Sequence, residues 1–373
     1  MANAYTPGLT VSPDIVVRRV RRLPIKGEVL VKAGDEVKPS DPVARAMLPG
    51  PLQTIKLAEK LGVEPKDAIP YFQLKPGDPV AKGQVVAETK GFLFFKPKPI
   101  ASDYEGTVEA ISEVTGNVLV REPSIPVEVH AYIDGVVAEV MPEEGAIIET
   151  RCSMVQGIFG VGGERTGEIR HAVAGPDQIL HADDISHDDK GKILIGGAGM
   201  TFDAISKAAE VGAIGIVAGG LRDSDLIKFL GYDIGVAITG QEAIGLTLVV
   251  TEGFGFLNMA QRTFDLLKSL DGQNASINGA TQIRAGVIRP ELIVPLADKT
   301  GVAPPHDEAL ELAIGTPIRV IREPYFGQLG KVTDLPPALM VVDSGTEVRV
   351  LKARLDGGDE VVVPRANVEI IAT

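Results

Sequence analysis

Cysteine is almost absent from this chain: Cys152 is the one cysteine in 373 residues. That excludes an internal disulfide, a Cys-x-x-Cys metal or redox pair, and a cysteine-ligated iron–sulfur cluster. Tryptophan is missing and aromatics make up only 5% of the chain, so a platform for stacked bases is not expected. Basic charge is in deficit, with 37 Lys and Arg against 50 Asp and Glu and a net charge of -13. Affinity for polyanions comes from basic side chains that displace counterions, so nucleic acid does not fit as a partner. Long apolar runs are lacking too. IGLTLVVTEGFGFL is interrupted at Glu252, and no membrane span is expected. MANAYTPGLTVSPD has no basic segment followed by an apolar run, so a cytoplasmic protein is expected. No serine sits in G-x-S-x-G, and no G-x-x-x-x-G-K-[ST] occurs. GIFGVGGERTG, 157–167, lacks the spacing and following helix of a dinucleotide site, so it is expected to form tight turns.

What is present is enough apolar residue, 45%, to fill large cores, and a length that suggests two to three domains. The basic run VVRRVRRLPIK, 16–26, is expected to be a solvated strand face. Just after it comes GEVLVKAGDEVKPSDPVAR, 27–45, which has the form of strand, Gly-Asp turn, strand. Related patterns recur as LKPGDPVAKGQVVAE (74–88), EGTVEAISEVTGNVLV (105–120) and DGVVAEVMPEEGAIIET (134–150). Their uneven spacing rules out a fixed-period solenoid and predicts paired halves of small β-barrels. Between the first two copies, Leu52, Ile55, Leu57, Ala58 and Leu61 fall near helical spacing and predict a short helix.

GDPVAKGQVVAE followed by IASDYEGTVEAI resembles the barrel-sandwich hybrid fold of biotinyl and lipoyl domains. It is also similar to the related unmodified domain of RnfC-type electron-transport subunits. The carrier families place a modified lysine in a hairpin between the two halves. Here Glu88-Thr89-Lys90 is one residue short of that motif and leads into GFLFFKPKPIAS, so an unmodified barrel without a cofactor is expected.

From about 151 the texture becomes α/β. KILIGG reads as a buried strand, TFDAISKAAEVG as a helix capped by Thr201 and stopped by Gly212, and AIGIVAGG as the next strand. AAEVGAIGIVAGGLRDSDL resembles the swivelling domain of RraA-like aldolases, and the same run is similar to noncatalytic protease-associated domains. The first resemblance implies ligand contact by Gly219 and Gly220, with Arg222 orienting a carboxylate and Asp223 helping to hold a divalent metal, a metal-dependent lyase or other small-anion-binding enzyme. Glu252, Asn278, Gln282 and Arg284 stand at probable strand ends and are candidates for one ligand pocket. HADDISHDD offers His181, Asp183 and His187 as metal-ligand types, though such loops commonly cap turns and bind water.

ADKTGVAPPHDEALELAIG, 297–315, is the best linker candidate. Beyond it, RVIREPYFGQLGKV and VVVPRANVEII resemble a KOW-type SH3-like barrel, which implies contact with RNA or protein through loops at one end. Acidic and basic residues nearly balance there, which favours protein, with Tyr325, Phe326 and Arg365 as anchors. The expected architecture is therefore mixed α/β and all-β, multi-domain. It comprises a barrel-sandwich hybrid at 1–150, a glycine-rich α/β domain at 151–296, a linker at 297–315 and a KOW-like barrel at 316–373. The expected function is a noncatalytic scaffold or adaptor whose partner is itself or another protein.

Overall fold

The computed structural model describes residues 9–88, 99–232, 244–281, 288–298, 312–320, 324–325, 328–341 and 347–370. The chain is strand-rich, with several sheets and a few short helices. Among the described residues no helix is long and apolar enough to cross a membrane.

The repeated Gly-Asp turns are built alike. Gly34 and Gly77 adopt φ of 92° and 95°, a left-handed conformation that glycine enters without a Cβ clash. Asp35 accepts from the Lys32 backbone N–H at 2.7 Å, and Asp78 from that of Lys75 at 2.8 Å. The copies pair in a nested order. Strands of the first copy, Glu36–Val37 and Pro42–Leu48, pair with Gly135–Met141 and Ile125–His130. Those of the second, Pro79–Val80 and Val85–Glu88, pair with Gly106–Ser112 and Pro99–Ala101. One small β unit is thus inserted into another. The predicted helix between them is only Leu57–Leu61; Leu52 and Ile55 belong to a strand that pairs with Asn117–Arg121. Over so few apolar residues helical and alternating spacing coincide, and the open edge of the neighbouring strand decided the outcome.

The strand Gly145–Gln156 runs straight through the 150/151 boundary. Its whole length pairs with Val11–Arg22, and its second half pairs with Glu291–Pro295, so both regions share one 13-stranded sheet among the described residues. Further along that sheet, Arg165–His171, Lys192–Ile195, Gly215–Leu221 and Thr247–Phe254 lie parallel in chain order. Alternation along these strands fills two cores. Leu194, Ile216 and Leu248 pack with Ile205 and Leu226 of helices Phe202–Val211 and Asp223–Leu230. Ile193, Val217 and Val249 pack with Phe264 and Leu267 of helix Gln261–Ser269 on the other side. Helix Phe202–Val211 has the expected ends: Thr201 Oγ1 accepts from the Ala204 N–H and Gly212 is left-handed. The sheet curls back on itself, since Gly279 N–H donates to Gly162 O at 3.1 Å and Gly160 N–H to Thr281 Oγ1 at 2.8 Å.

The C-terminal region is a six-stranded antiparallel sheet among the described residues, around Ile318, Val320, Val332, Leu351 and Ala353. In Pro317–Val320 the alternation sends Ile318 and Val320 into this core, and Arg319 leaves it on the opposite face.

Candidate functional site

Ligands in open parallel sheets sit beyond the carboxyl ends of the strands. Here those ends carry Gly219, Gly220, Arg222 and Glu252, and each is already engaged by the protein itself. A Cβ on Gly219 would lie 2.1 Å from Leu257 O, and one on Gly220 would lie 2.1 Å from Gly255 O. Both glycines therefore make room for the chain's own 255–259 segment. The exposed Arg222 guanidinium stacks over the Phe256 ring at 4.1 Å. Asp223 Oδ1 accepts from the Ser224 N–H at 2.8 Å, satisfying a free donor in the first turn of its helix.

Glu252 is the most heavily engaged. Its side chain is 2% exposed and its carboxylate accepts from Arg319 Nη1 at 2.9 and 3.2 Å, where Arg319 is 9% exposed. The same carboxylate takes the Ala260 N–H at 3.0 Å, at the start of helix Gln261–Ser269, and the Thr251 hydroxyl at 3.3 Å. The expected pocket of Glu252 with Asn278 is not assembled. Gly279 binds Gly162, which lies against Thr247, so Asn278 sits level with the start of the strand that carries Glu252 near its end. Five residues of extended chain separate the two levels by roughly 16 Å. Asn278 Oδ1 accepts instead from Ala280 N–H at 2.9 Å. Gln282, Arg284, Phe326 and Lys90 lie outside the described residues.

The His/Asp loop closes on itself in two 3-10 turns. Asp184 accepts from the His181 backbone N–H at 2.9 Å and Asp189 from that of Ser186 at 2.8 Å. Buried Asp189 also pairs with Arg170 at 3.1 Å, while His181, Asp183 and His187 are exposed. Among the described residues no group of three or more His, Cys, Asp or Glu could hold a metal ion. In the C-terminal sheet, Tyr325 packs against the core, and Arg365 donates to Val350 O and Pro336 O at 3.0 Å each. Both serve the module's own packing, in place of the exposed anchors expected of them.

A second cluster escaped sequence reasoning. In Val11–Arg22, Arg19 and Arg21 point the same way as the buried Ile15 and Val17, and only Arg18 and Arg22 meet solvent as the basic run had suggested. Arg19 makes a two-pronged ion pair with Glu291, one contact being 2.7 Å. The Tyr132 hydroxyl donates to the same carboxylate at 3.3 Å, and Arg21 lies 5.4 Å above the Tyr132 ring while holding Glu164 at 2.6 and 2.7 Å. Tyr132 is buried with a φ of 68°, held by its N–H to Pro39 O and by the Ser276 hydroxyl on its carbonyl. Burial pushes its phenol well above the ordinary value, and pushes the nearby Cys152 thiol up to about 12. Neither group ionises near neutral pH. The signal that could have revealed it was parity: arginines two apart, in phase with Ile15 and Val17.

The two ion pairs have one thing in common. Arg19–Glu291 ties the first strand of the chain to the last strand of the central sheet, and Glu252–Arg319 ties that sheet to the C-terminal one. No protein-family model matches the chain, and no curated protein sequence matches it.

Proposed function

We propose that this chain is a noncatalytic cytoplasmic scaffold or adaptor that associates with itself through its β-rich modules. The observation that carries the proposal is the buried Glu252–Arg319 pair, which seals the strand ends where a ligand site would form. Removing either partner of such a pair is expensive, so the modules are held in one arrangement, as a positioning device needs. Barrel-sandwich halves at the front and a KOW-like barrel at the back are the docking modules in this proposal.

Native mass spectrometry and sedimentation of the full chain, followed by denaturing mass on the same sample, test it. A bare polypeptide mass in a defined or open-ended oligomer is the expected result. A monomer at every concentration up to about 100 μM, a range in which even weak protein pairs associate, would overturn it. A retained metal or small anion that is lost on Arg222→Ala would replace it with the enzyme.

A further inference from the structure

The strand Leu339–Val341 is the most exposed apolar strand in the C-terminal sheet: Leu339 is 56%, Met340 40% and Val341 65% exposed. It pairs on one side with Glu347–Arg349, in the register Leu339 with Arg349, Met340 with Val348, Val341 with Glu347. Its other side has no strand partner among the described residues. Exposed edges are normally blunted by charge, yet LPPALMVV, 335–342, carries none in a chain with a net charge of -13. Pro336 and Pro337 cannot donate to a ladder, so a partner strand can pair only from Ala338 onward.

We propose that this edge docks against the same edge of a second copy, antiparallel about Met340; the inference rests on the scaffold function above and names its contact surface. The charge pattern selects this occupant. Turning the strand about Met340 sets Leu339 of one copy opposite Val341 of the other, an apolar pair on one face, with Met340 against Met340 on the other face. Behind them the row that ends in Arg349 in one copy ends in Glu347 in the other, so each row across the dyad carries one charge of each sign. A highly acidic chain can approach its own copy here without like charges facing, as an isologous contact requires. Three residues a side fall well below the ~800 Å² per partner of a stable dimer, so this contact is weak and depends on concentration.

Sedimentation velocity of the full chain across a concentration series tests the register with surface variants. Leu339→Lys with Val341→Lys sets like charges opposite each other in both rows and is expected to weaken association at least tenfold. Leu339→Glu with Val341→Lys sets opposite charges across both rows and is expected to associate to within a few-fold of the unmodified chain. If both double variants associate like the unmodified chain, the edge is not the contact, and the scaffold function stands on another surface. If both lose association, antiparallel pairing about Met340 is refuted. An unmodified chain that is monomeric throughout overturns the edge and the scaffold together.

Discussion

Arg319→Met removes the guanidinium from a carboxylate whose side chain is 2% exposed. The single change is expected to cost about 3–5 kcal/mol, because the cost of burying Glu252 remains while its counter-charge is gone. Glu252→Gln, which keeps an oxygen for the Ala260 N–H, removes the negative charge that faces the buried Arg319 and is expected to cost a similar amount. The double variant leaves a neutral amide against a thioether, so its cost is expected to fall short of the sum of the two by about 2–3 kcal/mol. For a unit of this size the single changes correspond to roughly 6–20 °C in melting temperature. Calorimetry of all four proteins gives the cycle, and hydrogen exchange at the Ala260 amide shows whether the loss is local to the junction. If either single variant costs under about 1 kcal/mol, or the two simply add, the pair does not hold the modules together and the proposed rigidity is wrong.

Cys152, with its thiol pushed up to about 12 and fully buried, is expected to resist thiol reagents at pH 8 and to react with one equivalent only after denaturation; rapid labelling of the native chain counts against this. Gly219→Ala places a methyl 2.1 Å from Leu257 O and is expected to destabilise by about 1–3 kcal/mol, whereas Gly163→Ala, with nothing within 4 Å, is expected to stay within about 0.5 kcal/mol; urea titration separates them. Burial, set against a weaker hydrogen bond to Val173 O, lowers the His171 ring below its ordinary value of 6.5. The unfolded chain therefore binds this proton first. The stability it confers is complete above pH 6.5 and is lost as pH falls from there through the lowered value. Melting temperature measured from pH 7.5 to 5 is expected to fall less steeply in His171→Gln than in the unmodified chain.

Local chemistry was legible without any fold. The Gly-Asp turns follow from a glycine that can take positive φ and an aspartate three residues after the N–H it binds. Helix Phe202–Val211 is bounded by a threonine and a glycine acting over a single turn. Alternation of the strand-forming residues was legible as well, because side-chain direction has a period of two wherever a strand forms. What tertiary structure decided was which strand pairs with which, and therefore which charges meet. Nothing within residues 27–48 dictates that they close with 125–141 around an inserted unit whose own strands pair within 79–112. Glu252 looked available because its partner, Arg319, lies 67 residues away on a separate sheet. Sequence determined the kinds of residue at the strand ends; only the packing of one sheet on another turned them from a possible ligand site into a buried joint, since the cost of an unpaired buried charge depends on the surroundings the fold supplies.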